Sequence, residues 1–163
     1  MADPISITTL EELADIALQT KYVILDFTAE WCPPCKAIAP LFKKLSNSYS
    51  VPGQLAFIKI DVDAGQELAK AYHVTSMPTF IILVDGEPTG VDVGGGKKLG
   101  GGTVYGGEGG NKVVMIRGAD PRNLTVVASE LGEIAKKAAT EGEKKPAEEK
   151  KEGEEKNEEE VTA

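Results

Sequence analysis

An α/β fold, with a central mixed β-sheet flanked by helices on both faces, is predicted by three observations. Apolar runs of strand length alternate with segments of helical period along the chain. One run, Tyr22 to Phe27, is continuous and rich in β-branched and aromatic residues, which marks a central strand buried on both faces. The resulting order is β-α-β-α-β-α-β-β-α, which reads as a mixed sheet with helices on both faces.

Taken in order, Ile5 and Ile7 alternate with polar residues as a short edge strand. Thr8 with Glu11, and Thr9 with Glu12, have capping-box spacing. Leu10, Leu13, Ala14, Ala17 and Leu18 then repeat at helical period. After the Tyr22 strand a second helix is expected from Cys32 to about Asn47, with Pro40 inside it, where a kink is expected. Leu55 to Ile60 alternates as another central strand. Asp63 is placed to cap a short helix from about Ala64 to Tyr72. Thr79 to Val84 is a further buried strand. Lys112 to Arg117 is the last, and Asp120-Pro121 starts a helix whose buried face is Leu124, Val127, Leu131 and Ile134.

Composition narrows the functional classes. The chain has 163 residues and is 41% apolar, enough for one domain with a sizeable core. Its net charge of −8 disfavours nucleic acid and anionic membrane as partners. No run approaches the length of a membrane span. The first residues lack a charged and then apolar leader pattern, so a reducing, cytoplasmic setting is expected.

In that setting the two cysteines carry the chemistry. They stand in Trp31-Cys32-Pro33-Pro34-Cys35-Lys36, directly after the buried strand. A cysteine that opens a helix has its sulfur beside unpaired N–H groups and the positive end of the helix dipole, which favours the thiolate. Cys35, one turn on, is close enough to take over a mixed disulfide. Pro33 and Pro34 lack N–H groups where the first turn needs none. The rival readings are two buried structural thiols and a metal half-site, but a zinc site needs about four ligands, and the chain has one histidine, His73, and no third cysteine. His73 itself is expected to be a helix-end residue.

Four separated features resemble the thioredoxin family: Leu25 through Lys36, the helix proline Pro40, Met77-Pro78-Thr79 before a strand, and Val113 to Ala119 before the last helix. The resemblance spans about residues 5–138 apart from a glycine-rich insert. The Pro-Pro active site is most similar to cytosolic thioredoxins of plants and fungi. It implies a thioredoxin fold and a thiol–disulfide oxidoreductase, with Cys32 as nucleophile and Cys35 as resolving thiol. Asp26, a carboxyl in an apolar strand, should have a raised pKa through desolvation, which suits a base for the Cys35 proton. The resemblance gives it Lys59 as partner. Trp31, Pro33, Pro34 and Met77 would form the docking surface, with Pro78 in the cis form. It further implies thioredoxin reductase and NADPH as the electron source, and disulfide-bearing proteins such as peroxiredoxins and reductases as substrates. No resident cofactor and a monomeric state are expected. Two positions depart from the family: Thr28 where a second tryptophan is common, and Pro33 for the more usual glycine.

A thioredoxin domain is thus expected over residues 1–139, with the insert at about 86–111. Residues 86–110 hold twelve of the eighteen glycines. A phosphate loop around Gly96-Lys97 would need glycine at 91 and Ser or Thr at 98, where the chain has Val91 and Lys98. The insert is therefore read as a flexible, solvated excursion from the sheet edge. From Thr140 onward there are ten Glu and five Lys with no aromatic residue, and a disordered tail over 140–163 is expected. The alternative function is a binding module in which insert and tail recruit a partner and the cysteines are secondary. If the tail is a solvated extension, truncation at about Thr140 leaves the melting temperature unchanged. A substantial drop would show that it packs on the domain.

Overall fold

The computed structural model describes residues 2–94 and 98–141. The expected disordered tail lies, beyond its first two residues, outside the described residues. The chain forms β1 (Ile5–Ser6), α1 (Leu10–Gln19), β2 (Tyr22–Thr28), α2 (Pro33–Tyr49), β3 (Leu55–Asp61), α3 (Gln66–Ala71) and β4 (Thr79–Val84). It continues with β5 (Thr103–Gly106), a 3-10 turn (Glu108–Gly110), β6 (Lys112–Arg117) and α4 (Pro121–Thr140). The sheet order is β1-β3-β2-β4-β6-β5. β3 runs parallel to β1 and β2, while β4, β6 and β5 pair antiparallel with their neighbours.

Period-two alternation sends the residues of β2 to two separate cores. Ile24 faces Ile38, Phe42 and Leu45 of α2 and Leu124, Val127 and Leu131 of α4. Val23, Leu25 and Phe27 face Leu13 of α1 and Leu68 of α3. Asp26 shares the Ile24 face, and so does its register partner Lys59, two residues beyond Phe57 on β3. Both therefore lie on the side covered by α2. On that side α4 crosses α2 closely, because Gly132 lies against the Tyr49 ring and a Cβ there would collide with it.

The helix starts follow the sequence signals. Thr9 and Glu12 complete the capping box of α1. Asp120 Oδ1 accepts from the Asn123 amide and caps α4. Asp63, however, does not cap α3. The N-cap is Gly65, with no side-chain bond. Asp61 turns the chain instead, accepting from the amides of Asp63 (2.8 Å) and Ala64 (3.3 Å), which leaves the Asp63 carboxylate for another partner.

The largest correction concerns the insert, whose two described arms are not a solvated excursion. Its first arm lays Val91 against Val113 of β6, with backbone hydrogen bonds of 3.0 and 2.7 Å. Val91 is buried in the α2/α4 core, and Val93, Leu99 and Tyr105 pack against it. The second arm is β5, a strand absent from the sequence reading, which extends the sheet beyond β6. The cause is an exposed edge: unpaired N–H and C=O groups on β6 are a ready template, and β5 covers them. Glycine permits the approach, since at Gly90 φ is +78° and a Cβ would strike the Val113 carbonyl. If the insert is part of the core, Val91→Ala lowers the unfolding free energy by about 1–2 kcal/mol in urea titration. An unchanged midpoint would return the insert to the solvent.

Candidate active site

Cys32 is the N-cap of α2, and its extended backbone (φ −105°, ψ 105°) ends the run out of β2. The Cys32 amide bonds to the Ala29 carbonyl at 3.3 Å, which sets the turn. Its Sγ accepts from the Cys35 amide at 3.3 Å, so the sulfur occupies the place a capping hydroxyl would take. Cys32 and Cys35 form a disulfide, with Cα atoms 5.3 Å apart. Both are nearly buried, packed with Ala29 beside Val62 and Met77. Pro33 and Pro34 fill the first turn and are exposed.

The Met77–Pro78 peptide is cis, and the Met77 carbonyl oxygen lies 3.6 Å from Cys32 Sγ. The Pro78 carbonyl accepts from the Gly118 amide at 2.8 Å, which joins the loop after β6 to the same surface. Trp31 is 64% exposed beside the dithiol. Its Nε1 donates to Asp63 Oδ2 at 2.8 Å, which fixes the ring over the loop after β3. Sequence reasoning missed this partner. The two residues are 32 apart in sequence, and no local spacing links them.

Asp26 is buried, and its Oδ1 has no hydrogen-bond partner among the described residues. Desolvation pushes its pKa up to about 7, and the positive charge of Lys59 offsets part of that rise. An open groove of about 560 Å³ is lined by Asp26, Lys36, Pro40 and Lys59. A second cleft of about 380 Å³ lies between Thr28, Ala29, Cys35, Lys36, Lys59 and Asp61. Lys59 thus borders both the groove of Asp26 and the cleft of Cys35. His73 is apart from this site, at the end of α3 with φ 57°. Among the described residues there is no group of three or more His, Cys, Asp or Glu suited to a metal. Nor is any described helix long and apolar enough to cross a membrane.

A cysteine pair capped at a helix start beside a cis-proline can, once reduced to the dithiol, pass two electrons to another disulfide. Comparison with known proteins agrees. The family model named Thioredoxin matches residues 5–100. A thioredoxin-like protein of Fusarium culmorum is 41% identical over 131 residues, which is 80% of this chain and 93% of that protein. A thioredoxin of Neurospora crassa is 39% identical over 137 residues, covering 83% and 93%. Among solved structures, a Plasmodium falciparum thioredoxin superposes with a TM-score of 0.58 at 30% identity, over 77% of this chain and 97% of that one. The chain belongs to the thioredoxin family and is a thiol–disulfide oxidoreductase.

Proposed function

We propose that the chain reduces protein disulfides, with Cys32 as nucleophile, Cys35 as resolving thiol and Asp26 as the base between them. In the reduced form the Cys32 thiolate attacks one sulfur of the substrate. A Cys32–substrate bond forms, the substrate S–S bond breaks, and its second sulfur leaves as a thiolate. Cys35 then loses its proton, attacks Cys32 Sγ and releases the first substrate sulfur. The substrate gains two electrons and two protons, and the Cys32–Cys35 disulfide re-forms. The observation that carries this reading is the Cys35 amide aimed at Cys32 Sγ, the geometry that stabilises a thiolate at a helix start.

The buried position of Asp26 supports the proton role. A carboxyl with a pKa near 7 can accept a proton from Cys35 at neutral pH and return it to water through the groove it lines. Lys59, opposite it on β3, sets how far that pKa rises. Trp31, Pro33, Pro34, Met77 and cis-Pro78 form the docking surface. The Met77 main chain is placed to pair with an extended partner segment. Electrons come from NADPH through a thioredoxin reductase, the setting is cytoplasmic and the chain acts as a monomer. An H-type thioredoxin of Chlamydomonas reinhardtii and thioredoxin H4 of Arabidopsis thaliana match just under half of the chain.

Reduction of insulin disulfides, coupled to NADPH oxidation by a thioredoxin reductase, tests the assignment. Cys32→Ser abolishes turnover, Cys35→Ser accumulates the mixed disulfide, and Asp26→Asn slows resolution while sparing the first attack. Turnover that survives Cys32→Ser would exclude the dithiol as the redox centre.

The same acid predicts a pH-dependent stability. Its folded pKa of about 7 lies above its ordinary value of 3.8. Between these values the folded chain holds a proton that the unfolded chain has released, so stability falls as pH rises through that window. The full loss is roughly 4 kcal/mol. Asn at this position never ionises. Urea unfolding should therefore find Asp26→Asn close to the parent near pH 4 and more stable by up to roughly 4 kcal/mol at pH 8. A difference constant across that range would refute the raised pKa.

A further inference from the structure

We infer that the Gly100–Thr103 turn of the insert forms an outer wall of the docking surface for protein disulfides, and that Asn123 is the positioning residue that holds it there. This rests on the disulfide-reductase reading above and adds a determinant for macromolecular substrates.

A continuous series of contacts leads from the dithiol to this turn. Met77 lies against Cys32 Sγ, and Pro78 accepts from the Gly118 amide. The Arg117 amide, one residue back, donates to the Gly102 carbonyl at 2.9 Å. Thr103 stands opposite Ile116, so the turn sits at the same end of the sheet as the active site. From β4 across β6 to β5 is two strand spacings, about 10 Å. An extended partner segment covers that distance in about three residues. A folded substrate whose cysteine is bonded to Cys32 therefore reaches the turn, whereas a small disulfide does not.

The turn is built rather than incidental. Asn123, nine-tenths buried at the start of α4, donates through Nδ2 to the Gly100 carbonyl at 2.9 Å and to Thr103 Oγ1 at 3.0 Å. Its own backbone amide is engaged separately by Asp120 Oδ1, so the side chain is left to hold the insert. A Cβ at Gly102 would collide with the Arg117 carbonyl, and Gly101 has φ +63° with its open side beside Asp120 Oδ2. Gly100 and Gly101 are exposed and carry no side chains, so what this turn offers a segment docked beside cis-Pro78 is main chain. That suits an extended protein segment, which recognises main chain in a shallow wall.

Steady-state kinetics with insulin, and separately with hydroxyethyl disulfide, on the full chain and on Asn123→Ala and Thr103→Val test this. Each variant removes one side of the same contact, and Thr103→Val leaves α4 untouched should Asn123→Ala fold poorly. The expected result is a KM for insulin raised about 3- to 10-fold in each variant, with kcat and hydroxyethyl disulfide turnover unchanged. An unchanged insulin KM would overturn the proposal, even with a lowered melting temperature, because Asn123 would then serve stability alone. An equal loss toward both disulfides would overturn it too, since the damage would not be to docking. A parent chain that reduces neither disulfide fails at the level of the redox assignment, and is distinguished by that control.

Discussion

A carboxyl buried on the sheet face that α2 covers, with no hydrogen-bond partner at Oδ1 among the described residues, is the constraint around which the site is organised. Strand β2 is covered on both faces, so any ionisable group on it loses water. Alternation along that strand decides which helix covers the group. Asp26 shares a face with Ile24, and that face belongs to α2. One residue earlier or later, the acid would lie under α1 and α3, away from the dithiol. The two-sided burial that gives the sheet its stability is thus the same fact that raises the Asp26 pKa toward neutrality. The cost in stability is borne by a core of four fully buried phenylalanines and many aliphatic residues.

The sulfur at the helix start is the second half of the arrangement. Cys32 takes the N-cap position, where a serine or aspartate commonly sits, and receives the Cys35 amide. The prolines at the next two positions forfeit only N–H groups that have no partner in a first turn. Backbone N–H groups at this helix start favour an anionic sulfur, and the buried Asp26 lies on the sheet face that α2 covers. The groove by Asp26 and the cleft by Cys35 share Ser6, Lys36, Ala39 and Lys59, so the two openings meet at those residues.

Much of this was legible in the sequence because it is local. The spacing of Cys32 and Cys35, the Thr9–Glu12 capping box, the Asp120-Pro121 start and the unbroken apolar strands all declare themselves within a few residues. The acid in β2 was legible for the same reason, as one charge in an apolar run. What was not legible depends on distant segments. The Trp31–Asp63 bond joins two loops, and Asp63 had a plausible local use as a helix cap that Asp61 pre-empted. The insert was misread because glycine content masks a sparse apolar pattern. Val91, Val93, Leu99 and Tyr105 are too widely spaced to show strand or helix period, yet each packs on the core.

With the docking role proposed for the insert, an edge problem and a docking problem share one solution. Without β5, strand β6 would end the sheet and offer its backbone groups to any passing chain. Covering it requires a segment that approaches closely, and glycine at 90 and 102 allows the main chains to meet where a Cβ would not fit. The covering strand must then be held at both ends. Near Gly106, Lys98 bonds to the Gly110 carbonyl at 2.6 Å and lies 4.5 Å from the Tyr105 ring centroid. At the active-site end the corresponding hold is Asn123, a side chain of the helix that also closes the core. Because α4 is anchored by Leu124, Val127 and Leu131, the turn it grips inherits a fixed position relative to cis-Pro78. A loop added to cover an edge is thereby brought under the control of the same helix and sheet that position the dithiol.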